Sequence, residues 1–535
     1  MMNTVTVRGK DAARVATGRG MTRSVATGEH GMRSRLARYA ALADAGEERA
    51  RDRQHAKGKH TARERLDMLF DPGSFHEANR LMGADVESGR PGCAVITGMG
   101  QVFGRTVAAY AQDFSIRGGT LGTAEGHKIV GLIEQAVRLG VPVVAIVDSG
   151  GARIQEGVAA LAQYGRIFRA TCHASGRVPQ ISLVLGPCAG GAVYCPALTD
   201  LIVMTRGNSE MFVTGPDVVR QSTGEDIGRD ELGGGLVHST VSGVAHYLAD
   251  DEEDAIDYAR TVLGYLPSCA DEDPPVYGYR PTSSDGEPDE ALAALVPERD
   301  REPYDMREVI GRIVDHGEFV QVHELYAPSA LVGFACIQGR PVGVVANQPA
   351  VSSGVLDVDS SEKIARFVRL CDAFNLPVVT LVDTPGYRPG SDQEHAGIIR
   401  RGATMIYAYA QARVPLVTVV LRKAFGGAYI VMGSRSLGAD AVFAWPTARI
   451  AVLGARAAVG IIHRRDLVSA RERGEDVEAL RSGLARDYEN RVVNADLALR
   501  TGQIDAMIDP ARTRETIASS LASLSGKRRA NPPRH

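Results

Sequence analysis

The chain is 535 residues long, with 44% hydrophobic and 23% charged residues and a formal net charge of −3. That length exceeds one ordinary domain, and the near-neutral charge gives no electrostatic drive onto nucleic acid or an anionic membrane. No apolar run approaches the ~20 residues of a membrane-spanning helix, and seven scattered cysteines without a CxxC pair argue against a four-cysteine zinc site and for reduced thiols in the cytoplasm.

Residues 1–34 carry arginines but no continuous apolar core of the kind a secretory signal needs, so they are read as a disordered extension. "GMGQVFG" (98–104) has the wrong spacing for a dinucleotide loop, and a strand-like run, "RTVAAYAQD", follows it. In "EGHKIVGLIEQAVRLG" (125–140), Ile129, Leu132, Ile133 and Val137 share one helical face. The β-branched run "VVAIV" then leads into "SGGARIQEG" (149–157), where Arg153 and Glu156 either contact a phosphate or order the loop; loop ordering is the favoured reading. Next "QISLVL" predicts a buried strand, "GPCAGG" a turn, and "AVYCPAL" a helix start. "DEEDAIDYA" (251–259) reads as a solvated helix face, and 271–302, rich in Pro, Asp, Glu and Ser, as a linker.

Beyond the linker the chain repeats itself. "VPVVAIVDSGGARIQEG" (141–157) matches "LPVVTLVDTPGYRPGSD" (376–392), so Asp148 and Asp383 are 235 residues apart. Gly104, Gly119, Leu121 and Lys128 pair at the same offset with Gly339, Gly354, Leu356 and Lys363. "VPQISLVLGPCAGGAVYCPAL" (178–198) mirrors "VPLVTVVLRKAFGGAYIVMGS" (414–434) at an offset of 236, which pairs Gly190 and Gly191 with Gly426 and Gly427. One register held over three segments is a duplication of domain size. Strand–helix alternation within each copy predicts an α/β fold. The expected organisation is a first domain over 35–270, the linker 271–302, a second domain over 303–520 and a flexible tail over 521–535.

Each glycine pair follows a buried strand where a helix should begin, although Gly costs a helix about 1 kcal/mol relative to Ala. The first helical turn leaves backbone N–H groups without intrahelical partners and favours negative charge. Without a Cβ a ligand atom can reach those donors, which is what an oxyanion hole requires. The alternative is that the glycines only let the helix pack closely on its sheet; two matched copies favour the hole. The sequence has no P-loop, HExxH, GxSxG or Cys/His ligand spacing, so no metal is expected, and His395 stands alone in "SDQEHAG".

The stretches "KGKHTARERLDMLFDPGSF" (57–75), "GPCAGGAVY" (186–194), "TGPDVV" (214–219), "DQEHAGIIRRGA" (392–403) and "AFGGAYIVMGS" (424–434) together resemble the β subunit of biotin-dependent acyl-CoA carboxylases, the carboxyltransferase component, of the propionyl-CoA carboxylase type. The resemblance implies two crotonase-like (spiral ββα) domains in tandem, in a homohexamer where the first half of one subunit faces the second half of another. It places acyl-CoA on the first half, at Ala189, Gly190 and Gly191, and biotin on the second, at Gly426, Gly427 and Ala428. Gly190 and Gly191 would hold the thioester oxygen, and Gly427 and Ala428 the ureido oxygen. In that family biotin itself removes the α-proton, which fits a sequence with no evident acid–base dyad. No biotin-attachment or ATP-binding motif appears, so biotin is expected on a separate biotin carboxylase/biotin carboxyl carrier (α) subunit. Propionyl-preferring relatives carry Asp where this chain has Ile430, which points towards acetyl-CoA or broader acyl use. A decarboxylase or transcarboxylase of the same fold, and a non-catalytic scaffold, are the alternatives.

Overall fold

The alternation read in each copy becomes two eight-stranded sheets. The computed structural model describes residues 31–39, 41, 47–84, 92–279, 287–299 and 302–527; most of the extension read over 1–34, and 528–535 of the tail, lie outside these. The first half holds β1 (His76–Ala78), β2 (Val95–Val102), β3 (Arg105–Gln112), β4 (Val143–Ser149), β5 (Gln180–Ala189), β6 (Leu201–Thr205), β7 (Glu210–Phe212) and β8 (Tyr247–Ala249). Their order is β1-β2-β3-β4-β5-β6-β8, with β7 beside β5. The second half holds β9 (Val320–Val322), β10 (Ala330–Ile337), β11 (Arg340–Asn347), β12 (Val378–Thr384), β13 (Leu416–Phe425), β14 (Ala441–Ala444), β15 (Arg449–Ala451) and β16 (Ala506–Met507). They run β16-β14-β13-β12-β11-β10-β9, with β15 beside β13.

The duplication read from sequence reaches backbone detail. β2, β3 and β4 match β10, β11 and β12 residue for residue at the 235 offset, and β5 matches β13 at 236. Both β-hairpins turn on two left-handed residues, Phe103 and Gly104 in one half and Gln338 and Gly339 in the other, as a two-residue hairpin loop demands. Helices Thr123–Leu139 and Val158–Ala174 cross over between parallel strands in the first half, and Val358–Ala373 and Ile398–Gln411 do so in the second. β4 and β12, "VVAIVDS" and "VVTLVDT", are buried along their whole length, as strands covered on both faces are.

Some expectations need correction. The stretch "GPCA" is strand, not turn, because β5 bends to a new partner: Pro187, Cys188 and Ala189 pair with β7. Lys423, Ala424 and Phe425 do the same with β15. The helices that follow are short, Gly190–Val193 running into Tyr194–Ala197 and, in the second half, Gly426–Val431. The acidic helix Glu252–Tyr265 is not a solvated face: Glu252, Ile256 and Tyr258 are buried. Along 271–302, Tyr277 donates its N–H to Gly339 and Leu292 is buried. Within 521–527, helix Thr513–Ser523 continues, and Lys527 bonds Val414 O and Asp440 Oδ2.

The bend in β5 is pinned by a buried carboxylate. Pairing of β4 with β5 jumps from Val147↔Val184 to Ser149↔Cys188, leaving Asp148 opposite the bulge. Asp148 is fully buried; its Oδ2 accepts from Lys59 Nζ at 2.5 Å and Arg65 Nη1 at 2.9 Å. Arg65, also fully buried, forks onto Glu252 at 2.7 and 2.8 Å and donates to Leu185 O inside the bulge. Burial pulls the Lys59 pKa down against the attraction of Asp148. The second half shows the same jump, from Val382↔Val420 to Thr384↔Ala424. Here Asp383 accepts from Arg422 Nε, the Lys423 N–H and the Tyr304 hydroxyl. Its cations sit on β13 itself, at positions that in β5 are Gly186 and Pro187. That difference explains Gly186: a Cβ there would lie 2.0 Å from Asp148 Oδ1, because the charge arrives from the N-terminal segment instead.

Removing one partner of such a buried cluster strands the others without compensation. Asp383→Ala should therefore lower stability by about 3–5 kcal/mol, read as a fall in the thermal unfolding midpoint; an unchanged midpoint would show that Arg422 and Lys423 need no counter-charge.

Candidate functional site

Each bent strand ends on a glycine pair whose first member holds a left-handed backbone: φ is 66° at Gly190 and 61° at Gly426. Such a φ strains any residue bearing a Cβ. It turns the chain so that the following peptides open a helical turn. Gly426, Gly427 and Ala428 are the first three residues of theirs, with Phe425 as N-cap. Their N–H groups therefore have no intrahelical acceptor, and no turn, loop or side-chain bond among the described residues takes the N–H of Gly191, Gly427 or Ala428.

The second glycine of each pair carries the decisive observation. A Cβ on Gly191 would meet only the Tyr164 ring, at 3.8 Å, and one on Gly427 only the Tyr387 ring, at 3.9 Å. These are ordinary contacts, so packing does not require glycine at either position. The contrast with glycines that do pack is sharp: a Cβ on Gly119 would lie 2.1 Å from Asp148 O, and one on Gly354 2.5 Å from Asp383 O. Gly191 and Gly427 are both exposed, while Ala192 and Ala428, next in line, are buried. Space is kept open at the donors and closed immediately behind them.

The rest of each rim differs. Gly151 in one half and Gly386 in the other bring the loop after β4 or β12 against the carbonyl of Ala189 or Phe425. In the second half that loop supplies Tyr387; in the first its equivalent is Ala152, and the ring comes instead from Tyr164 of helix Val158–Ala174. Sequence reasoning missed both tyrosines, because the two sites of origin do not correspond in the repeat. Arg153 orders its loop: it pairs with Glu125 and Glu156 and donates to Thr120 O, while Glu156 accepts from the Thr123 N–H. These bonds, the Thr123 N–H foremost, hold the Glu156 carboxyl down at about 2. Ile430 stands 46% exposed near the end of the short helix begun by Gly426. His395 is exposed in the short helix Ser391–His395.

Structure aligns Gly191 with Gly427 and Ala192 with Ala428, so the two expected donor pairs, Gly190/Gly191 and Gly427/Ala428, share only the Gly191/Gly427 position. One group the spacing did not suggest, His55, His60 and Glu64, comes within 4.8 Å. Its carboxylate already caps the helix Ala62–Leu69 through Thr61 and meets Arg51 at 3.3 Å. All seven cysteines are free thiols, and no helix among the described residues is long and apolar enough to cross a membrane. Chemically, each half offers open backbone donors at the head of a helical turn, fit for an oxygen that gains negative charge.

A family model described as the carboxyl transferase domain matches residues 53–535. The chain is 54% identical over 500 residues to the propionyl-CoA carboxylase beta chain of Saccharopolyspora erythraea, covering 91% of this chain and 92% of that one. It is 49% identical over 498 residues to a biotin-dependent acetyl-/propionyl-coenzyme A carboxylase beta5 subunit of Mycobacterium tuberculosis, covering 91% of each. Among solved structures, the transcarboxylase 12S hexamer with methylmalonyl-coenzyme A and methylmalonic acid bound superposes with a TM-score of 0.87 at 43% identity, over 98% of this chain and 99% of that one.

The two kinds of glycine separate under a single methyl. Gly186→Ala should cost about 1–3 kcal/mol through overlap with Asp148, whereas Gly191→Ala should change stability by less than about 0.5 kcal/mol. Equal losses on thermal unfolding would restore close packing as the reason for Gly191.

Proposed function

The chain belongs to the carboxyl transferase domain family, and on that premise we propose how its two halves divide the transfer of a carboxyl group to an acyl-CoA. The first half binds the acyl-CoA, with the thioester oxygen on the N–H groups of Gly190 and Gly191. As the α-carbon gives up its proton, charge moves onto that oxygen, and donors already in place stabilise it without reorganising. The second half receives biotin, with its ureido oxygen on the N–H groups of Gly427 and Ala428. Biotin supplies the carboxyl group and is carried on a separate biotin carboxylase/biotin carboxyl carrier subunit. The residues fit that role: Gly427 is exposed, and among the described residues nothing but the Tyr387 ring, at 3.9 Å, comes near the place where its Cβ would stand.

One observation carries this reading. Both halves preserve an exposed second glycine that packing does not need, at the head of a helical turn. A single transfer with charge developing on two oxygens calls for two such places, and both must be opposed to act together. Exposed apolar residues in both halves support such a union of copies: Ile154, Val158 and Leu161 in the first half, Ile399, Val452 and Ile461 in the second. We read the assembly as a homohexamer in the cytoplasm with first halves facing second halves.

The substrate is a short acyl-CoA. Ile430 is an exposed aliphatic side chain one turn beyond the biotin-side donors, and an apolar residue there favours acetyl-CoA as well as propionyl-CoA. The fold's likeness to a transcarboxylase 12S subunit supports a second reading, in which the same site passes the group in the reverse sense.

Reconstitution with a biotinylated partner, ATP and bicarbonate should carboxylate acetyl- and propionyl-CoA, and Ile430→Asp should shift the ratio of kcat/KM towards propionyl-CoA about tenfold, the size of one well-placed contact. No carboxylation by a partner active with another β subunit would refute the assignment; an unchanged ratio would remove Ile430 from acyl selection.

A further inference from the structure

Four residues after the first glycine of each pair stands an exposed side chain at duplicated positions: Tyr194, 49% exposed, and Ile430, 46% exposed. Each lies three residues beyond the exposed glycine, Gly191 or Gly427, and so shares a face of the helical turn with that donor. The phenol of Tyr194 has no hydrogen-bond partner among the described residues, and its ring is braced. It stands edge-on to Phe168, with centroids 6.1 Å apart and planes at 85°. Phe168 in turn rests on Tyr164, with centroids again 6.1 Å apart. Tyr164 is the ring that floors Gly191. An aromatic row thus runs from beneath the acyl-side donor out to a half-open ring.

The duplication gives that ring a task. Ile430 belongs to the biotin half, yet it is read as tuning the acyl group, which requires it to reach across the cleft between opposed halves. Tyr194 occupies the same place on the acyl half, so across the same cleft it meets the biotin side. We propose that Tyr194, on the first half, binds the biotin seated on the opposing subunit's second half, its ring packing against the fused rings of biotin. This rests on the division of labour given under Proposed function. The surface it fits is the apolar, sulfur-containing ring of the bicycle, with the ureido oxygen left to the backbone donors: an aromatic face gains most by covering apolar surface.

The test runs the transfer backwards in the purified assembly, from malonyl-CoA or methylmalonyl-CoA to free biotin. Tyr194→Ala should raise KM for biotin about tenfold while KM for the acyl-CoA stays within about twofold. Tyr194→Phe should recover most of the lost biotin affinity, because the ring and not the hydroxyl makes the contact. A rise in acyl-CoA KM instead would place Tyr194 on the acyl side, and no change in either KM would remove it from the cleft; both overturn the inference. Should Tyr194→Ala alter the elution volume of the assembly, Tyr194→Leu is read in its place against the same outcomes. A wild-type protein that transfers from neither carboxylated acyl-CoA would refute the parent reading itself, and the inference with it.

Discussion

A carboxylate buried at a bulge sets the geometry on which both candidate sites depend. Asp148 and Asp383 each sit where a parallel pair of strands loses register, and each is held by two cationic side chains. A buried charge is tolerated only when paired and hydrogen-bonded, so these clusters fix one course for the strand beyond the bulge. That course carries β5 and β13 from one neighbour to another and ends on Gly190 and Gly426. Without the bend, the following N–H groups would continue a ladder instead of opening a helical turn.

The two halves reach this end by different means. In the second, Arg422 and Lys423 lie on the bent strand, and Arg422 also gathers the carbonyls of Pro297, Arg299 and Glu302. In the first, Lys59 and Arg65 come from the N-terminal segment and Glu252 balances the second charge. Chain from outside the repeat thus locks the first half, while the second half locks the segment between the halves. Duplication kept the aspartate and its bulge and let the cations move. The tyrosines flooring Gly191 and Gly427 changed origin in the same way.

Much of this was legible in the sequence because it is local. Alternating β-branched runs and a 3.6-residue apolar period announced the α/β class, and a constant offset announced the duplication. The glycine pairs stood out because they break helix propensity. What could not be read was non-local. Nothing in "GPCA" says that it continues as strand, since its partner at 210–212 lies 21 residues on. Nothing near Asp148 identifies Lys59 and Arg65, and the burial of Glu252 in "DEEDAIDYA" follows from its pair with Arg65, while Ala255, Ile256 and Tyr258 join the core. The roles of Gly186 and Gly191 differ because of what lies opposite them, and a sequence does not show what lies opposite.

If the open space at Gly191 and Gly427 belongs to the reacting oxygens, filling it must stop the transfer. The most direct measurement is the turnover of acyl-CoA carboxylation by Gly191→Val and Gly427→Val, each assembled with the biotinylated partner. In each, kcat should fall by at least about 10²-fold, with the elution volume of the wild-type assembly preserved. Near-normal turnover in either variant, with the same elution volume, would contradict that role of the open space in that half.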